Sequence, residues 1–379
     1  RSQLSIEYCR KLIDDAAQKG VKALSLTGGE PLMFIDDIVE LINYAGQSGI
    51  PCVRTGTNGF LFCNPESNGF ENRVNKVAKK LGSTNLYTFW ISLDSADPDV
   101  HESIRGLPGV VEGIRKALPI FHEHGIFPSV NLGINRATGG KDDDLFLHKL
   151  GNREFLNRFK LSFERFFDAA IELGFTSVNS CYPMSNGDKE CRIDSEVYGA
   201  VSSDDIIHFG REEKALIFQA LFETIPKYRG RIRIFSPRCS IYNLVHKYKD
   251  NSSSLFPCRG GHDFFFVDSD RGKITPCGYL PKEFFQLPDL KKRNCQYGEF
   301  CELCDWECFR DPSDLMGIFA EFFITPMKTV RKVVKNKKYF SILKEDLKYY
   351  HACGYFNGRV PPDITRMSAY SDTVIYSPL

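Results

Sequence analysis

The chain has 379 residues, 42% of them hydrophobic and 26% charged, an ordinary globular composition that excludes intrinsic disorder. Lys and Arg number 49 against 48 Asp and Glu, so a net charge of +1 gives no global field that points to nucleic acid or an acidic partner. No apolar run approaches the roughly 18 residues of a membrane span, and no signal peptide opens the chain; both lead to the expectation of a cytoplasmic protein. The length favours one large domain with smaller additions.

In chain order, a helix is expected over residues 5–19, with Ser2 or Ser5 as its N-cap and Gly20 as its stop. A strand over 22–27, a helix over 35–46 and a strand over 52–56 follow. Then come a helix over 72–81, a strand over 87–94, a helix over 110–124 and a strand over 128–134. A helix over 155–173, ended by Gly174, precedes a strand over 177–182. Strands alternating with helices of this length make a parallel sheet with right-handed crossovers, wound as a barrel or as a doubly wound sheet. In both, ligands sit where the strands end and loops lead into the helices. A helix over 212–225 and a strand over 231–235 close the regular pattern, and a domain boundary is placed near residue 235. A Cys- and Gly-rich stretch runs over 256–311, and a Phe-, Tyr- and Lys-rich segment with short helices over 312–379.

The 13 cysteines are distributed unevenly. Cys9, Cys52, Cys63, Cys181, Cys191, Cys239 and Cys353 are scattered, whereas Cys258, Cys277, Cys295, Cys301, Cys304 and Cys308 lie close together in sequence. Local clustering in a long chain points to a metal or iron–sulfur site rather than a disulfide scaffold. Four thiolates would also satisfy zinc, although only Cys301 and Cys304 form a Cys-x2-Cys pair.

The strand-end residues are polar or glycine-rich. Gly28 and Gly29 let the backbone turn and offer free N–H groups to a carboxylate. Glu30 offers an anion, and Pro31 suits the first position of a helix. Together with Thr57-Asn58-Gly59, Trp90-Ile91-Ser92-Leu93-Asp94-Ser95 and the continuation through His101, Ile104-Arg105-Gly106 and Pro108-Gly109-Val110, this series resembles the radical S-adenosylmethionine (radical SAM) enzyme family over roughly residues 5–190. The resemblance implies an α/β fold with a partial (β/α)6 TIM-like barrel. It places Gly28, Gly29 and Glu30, with Pro31 and Asn58, at the methionine end of SAM. Ser92 and Asp94 fall near the ribose, and Asn131, Tyr182 and Pro183 near the nucleoside. The family's Cys-x3-Cys-x2-Cys loop, which holds the 4Fe–4S cluster, is not in this sequence. It is expected upstream of Arg1, since the chain starts without an initiator methionine, and the catalytic residues are therefore unassigned.

Cys258, 13 further residues, then Gly272-x4-Cys277 resembles the SPASM/Twitch extension of the same family, with a β-hairpin over 262–277. That resemblance implies a small Cys-rich α+β domain over 236–311 holding one or two auxiliary 4Fe–4S clusters, after a barrel over 1–235 and before a helical extension over 312–379. Its ligands would come from Cys258, Cys277, Cys295, Cys301, Cys304 and Cys308, with Cys239 and Cys353 available for a second cluster. The usual Cys-x2-Cys-x5-Cys-x3-Cys run has its first two gaps exchanged here. The resemblance further implies a 5′-deoxyadenosyl radical for C–H abstraction, an electron donor such as flavodoxin or ferredoxin, and a peptide or protein substrate. The alternatives are a lipid, polyisoprenoid or other small metabolite, and a non-catalytic iron–sulfur scaffold. The segment from Cys304 to Ser313 is similar to the C-terminal cysteine cluster of hopanoid-pathway members. Behind it, apolar residues 315–324 adjoin Lys328, Arg331, Lys332, Lys335, Lys337 and Lys338, a pattern open to weak contact with a membrane surface or to packing on its own domain. His101 and Arg105 are candidates for the pocket or for salt bridging, Cys181 for a substrate-side or a buried thiol, and Asp142-Asp143-Asp144 for an exposed loop.

Overall fold

The structure is a computed structural model, and it describes residues 4–142, 145–183, 204–268, 272–278, 302 and 304–371. Helix α1 (Ile6–Gln18) is capped by Ser5, whose side chain accepts from the Tyr8 N–H, and leads into β1 (Ala23–Leu26). The alternation continues through α2 (Ile35–Gln47), β2 (Cys52–Thr57), α3 (Phe70–Gly82) and β3 (Leu86–Ser92). Next come α4 (Pro98–Arg105), α5 (Val110–Glu123), β4 (Ser129–Gly133), α6 (Leu147–Leu173) and β5 (Ser177–Cys181). Helix α7 (Arg211–Tyr228), β6 (Arg233–Ile234) and α8 (Arg238–Asp250) complete it. Helix α6 starts before the expected 155 because a further turn runs into it across a kink at Gly151, where φ is 73° and ψ 165°.

All strand pairs are parallel, and the sheet order is β1-β2-β3-β4-β5-β6. This order decides between the two windings. A doubly wound sheet reverses its strand order at a switch point, whereas here every crossover steps the same way. With one crossover hand, all helices then lie on one face and the other face becomes the inside of a partial barrel. Burial follows the two-residue period of a strand. Val53, Phe89, Ile91, Val130, Leu132 and Val178 belong to the core beneath the helices, so Arg54, Gly56, Trp90, Ser92, Asn131, Asn179 and Cys181 point inward. The βα pattern runs past residue 235, because α8 packs along α7.

The hairpin is β7 (Phe266–Val267) against β8 (Ile274–Thr275), antiparallel and shorter than expected. Helices α9 (Glu307–Ile324), α10 (Pro326–Lys335), α11 (Lys337–Ala352) and α12 (Ile364–Ser368) follow. Helix α11 is anchored by a fully buried ion pair between Arg229 and Asp346, and Asp346 also accepts from the Cys239 N–H at 2.8 Å. Tyr349 on α11 accepts from the Ile234 N–H at 2.9 Å and donates to the Ile232 carbonyl at 3.2 Å, which satisfies backbone groups of the short edge strand β6. The segment after α11 crosses the amino end of the barrel. Gly358 donates to the Tyr87 carbonyl at 2.9 Å and accepts from the Phe127 N–H at 2.7 Å. Arg233 reaches the Asn357 carbonyl, and Arg359 reaches the Gly82 carbonyl at the end of α3. A Cβ at Gly358 would sit 3.1 Å from the Tyr87 oxygen, so the floor is closed by close backbone approach.

Candidate active site

At the carboxyl end of β1 the chain turns through Gly28 (φ 100°) and Gly29 (φ 56°), a left-handed pair that L side chains avoid. Nothing lies within 4 Å of a Cβ built on Gly29, so the turn faces open space. Glu30 does not hang free. Its Oε1 accepts from Thr57 Oγ1 at 2.8 Å and the Leu32 N–H at 3.1 Å, and its Oε2 accepts from the Asn58 N–H at 2.7 Å. The carboxylate therefore ties the end of β1 to the end of β2, and Oε2 retains a lone pair for a cationic donor. Pro31 is buried at the start of a short 3-10 turn, and the Asn58 side chain accepts from the Phe60 N–H at 2.9 Å.

One layer of inward residues crosses three strands in register: Ser92 on β3, Asn131 on β4 and Asn179 on β5. Two of these were expected from sequence, and the third completes the row. Asn179 Oδ1 is buried without a hydrogen-bond partner, an acceptor that awaits a donor. Beneath the row, Trp90 lies across Gly56, where any Cβ would overlap the indole. Arg54 stands beside this ring at 5.8 Å and donates to Ser25 Oγ at 3.3 Å. It has no carboxylate partner among the described residues.

Asp94 is held rather than offered. Its carboxylate is gripped by Arg105 through Nε and through Nη2 at 2.9 Å. Its N–H donates to His101 Nδ1 at 3.0 Å, and its carbonyl accepts from Asn135 Nδ2 at 2.7 Å. Burial pushes His101 down to about 4, outweighing the pull of Asp94, so the imidazole is neutral and accepts at Nδ1. Salt bridging and loop support are the roles these two residues take here. Further round, Arg136 forks onto Glu213 at 2.9 and 2.8 Å and lies between the Phe146 and Phe209 rings, which pins the β4 loop to α7.

At β5 the first turn of α9 comes down over the strand end. Glu307 is buried beside the thiols of Cys181 and Cys308, and the Cys308 thiol lies 3.5 Å from its Oε1. Burial raises Glu307 and, with the Glu307 charge, raises both thiols, so they stay protonated. Cys308 keeps solvent access although protein groups surround it, as a side chain on the wall of a concave mouth does. Tyr182 is buried with its hydroxyl on Asp311 at 3.1 Å, and Pro183 is buried next to it. Ahead of α9, Asp305 is fully buried between Lys214 at 2.9 Å and Lys247 at 3.1 Å. Burial raises its carboxyl, but the two lysines prevail and hold it at about 2.

Four of the six cysteines expected as cluster ligands, Cys258, Cys277, Cys304 and Cys308, lie within the described residues. Cys258 and Pro276, the residue before Cys277, flank the same side of Gly260. Cys304 lies near Tyr248, and Cys308 faces Cys181. Cys295 and Cys301 are outside the described residues, and among those described no three His, Cys, Asp or Glu side chains converge as a metal site. The described residues do not by themselves make an auxiliary iron–sulfur centre.

Residues 1–145 match the family model described as the Radical SAM superfamily. The chain is an enzyme that carries a radical SAM domain over these residues. Among its relatives, the AdoMet-dependent heme synthase of Methanosarcina barkeri is 26% identical over 326 residues, 83% of this chain and 78% of that protein. The AdoMet-dependent heme synthase of Nitratidesulfovibrio vulgaris is 23% identical over 73% of this chain and 66% of its own. A GTP 3′,8-cyclase of Limosilactobacillus fermentum is 34% identical, over only 38% of this chain and 39% of its own. Membership implies SAM and a 4Fe–4S cluster, and the residues present fit SAM. The radical SAM enzyme offers an open glycine turn at Gly28 and Gly29, a free lone pair on Glu30 and the orphaned Asn179 Oδ1 beside Ser92 and Asn131. Arg54, Asn179 and Glu307 were not singled out in the sequence; the inward phase of β2 and β5 was the available signal for the first two.

Proposed function

We propose that this radical SAM enzyme abstracts hydrogen from a small, carboxylate-bearing metabolite held inside the barrel, a reading favoured over peptide modification. The observation that carries it is Arg54: a cation on the inner wall, 5.8 Å from the Trp90 ring centre and hydrogen-bonded to Ser25, with no carboxylate partner among the described residues. Such a group recognises an anionic ligand, and the indole beside it suits a flat or apolar body. The relatives named heme synthases, which align far beyond the barrel's first half, support a small-molecule substrate and make iron porphyrins the first class to offer.

With its cluster reduced, bound SAM supplies the 5′-deoxyadenosyl radical for C–H abstraction. The chain's own residues then position and enclose. Gly28, Gly29 and Glu30 hold the methionine end, and Ser92, Asn131 and Asn179 orient the nucleoside. Arg54 fixes a substrate carboxylate, and the α9 turn at Glu307 and Cys308 limits water at β5. An auxiliary iron–sulfur centre on Cys258 and Cys277 with two or more of Cys295, Cys301, Cys304 and Cys308 is part of the same proposal, and iron and sulfide analysis counts it.

The test uses the full-length enzyme, purified without oxygen, reduced with dithionite and given SAM. 5′-Deoxyadenosine formation stimulated by Fe-coproporphyrin III, with a change in the porphyrin's mass, is the expected result. Stimulation by peptides alone, with no response to any carboxylated small molecule, would overturn the reading.

A further inference from the structure

Helices α9 and α10 form a hairpin whose outer side is apolar. On α9, Met316, Phe319 and Phe323 recur at helical spacing and are exposed; on α10, Met327, Val330 and Val334 do the same. The two stripes meet at the turn, where Phe323 is 86% and Ile324 70% exposed, with Phe322 exposed beside them in the last turn of α9. Single exposed apolar residues need no explanation, but a run of this size does. Poor packing of the hairpin does not explain it. Its inner side is fixed: Thr329 is buried, and Lys332 places Nζ 2.6 Å from both Glu321 oxygens and 3.0 Å from the Leu255 carbonyl. The outward face is therefore set by the fold.

Charge selects the occupant. From Phe322 to Leu343 there is no Asp or Glu, while Lys328, Arg331, Lys335, Lys337 and Lys338 stand beside the apolar stripes. Lys328, Arg331 and Lys335 repeat at helical spacing one position after Met327, Val330 and Val334 and share their exposure. An aromatic tip bordered by cations matches an anionic bilayer surface, with rings at the acyl boundary and ammonium groups among the lipid phosphates. We infer that the α9–α10 hairpin docks this enzyme on anionic membrane surfaces, with Phe322, Phe323, Ile324 and Met327 inserted and the α10 cations on the headgroups. No described helix is long and apolar enough to cross a membrane, so the contact is interfacial.

The experiment is flotation of the full chain with phosphatidylcholine vesicles made with and without phosphatidylserine, at low and high salt. Binding is expected only with phosphatidylserine and is expected to fall with salt. The Phe323→Asp/Ile324→Asp double variant should lose it. Each of Lys328→Glu, Arg331→Glu and Lys335→Glu should weaken it about fivefold or more, the equivalent of roughly one headgroup attraction per cation. All these side chains are exposed, so melting temperature and 5′-deoxyadenosine formation should be unchanged. Three results would overturn the inference: no binding of the parent chain to phosphatidylserine vesicles, equal binding to phosphatidylcholine alone, or equal binding by the Phe323/Ile324 variant. Sedimentation equilibrium covers the remaining occupant. A dimer dissolved by the same double variant would assign the face to a second copy of the chain instead.

Discussion

Arg54 and His101 sit a few residues from recognisable motifs and do opposite things with charge. Arg54→Gln should raise the substrate KM about ten- to hundredfold while leaving kcat nearly unchanged, because a charged hydrogen bond to a bound anion is lost without altering the reacting atoms; steady-state kinetics read this directly. His101 is a stability group. Its folded pKa of about 4 lies below its unfolded 6.5, so between these values the unfolded chain takes up a proton that the folded chain refuses. Stability is therefore full above pH 6.5 and declines by up to about 3 kcal/mol as pH falls to 4. Denaturant melts across this window should show the decline in the parent chain and a flatter profile in His101→Asn. At Gly56 the indole of Trp90 occupies the space of a side chain, so Gly56→Ala should displace the ring and shift tryptophan emission to the red. The glycine turn and Glu30 were legible in sequence because they are contiguous and conformationally special. Arg54, Asn179 and Glu307 were not, because an isolated Arg, Asn or Glu acquires meaning only from the phase of its strand or from a helix arriving more than a hundred residues later.

Helices and strands of the barrel were mostly readable, since a 3.6-residue period between apolar strands survives in the amphipathic helices α1, α2, α3 and α5; α4, only eight residues long, was not read. Helix α8 was missed where polar groups lie on the buried side: Arg238, Ser240 and Cys239 are all buried there, which erases the contrast that the period depends on. Strand β6 is only two residues long, and its edge is completed by the Tyr349 hydroxyl instead of another strand. The loops between elements are held by charge, and this separates two kinds of ion pair. Arg136 and Glu213 are nearly buried, so Glu213→Ala should cost about 3–5 kcal/mol in urea unfolding by leaving an uncompensated cation. The Arg115–Glu112 pair on α5 is about half exposed on both sides, and Arg115→Ala should cost less than about 1 kcal/mol.

At the scale of the whole molecule, the C-terminal helices belong to the barrel's structure as well as to its mouth. Helix α9 covers β5, α11 locks α7 and β6, and residues 355–359 seal the amino ends of β3 and β4. Gly358→Val should therefore destabilise the entire chain by about 1–3 kcal/mol, since its side chain would meet the Tyr87 backbone; a single cooperative loss in thermal unfolding is the expected readout. That seal has a consequence for biosynthesis. The Tyr87 hydroxyl waits for a carbonyl 268 residues further along, so during translation the strands emerge long before the segment that stops up their lower end. The nascent barrel spends most of its synthesis with that end unsealed, a state of high contact order in which exposed backbone invites wrong pairings. Ribosome-stalled chains ending before residue 355 should accordingly be cut by protease within the sheet region, and chains extended past Arg359 should resist.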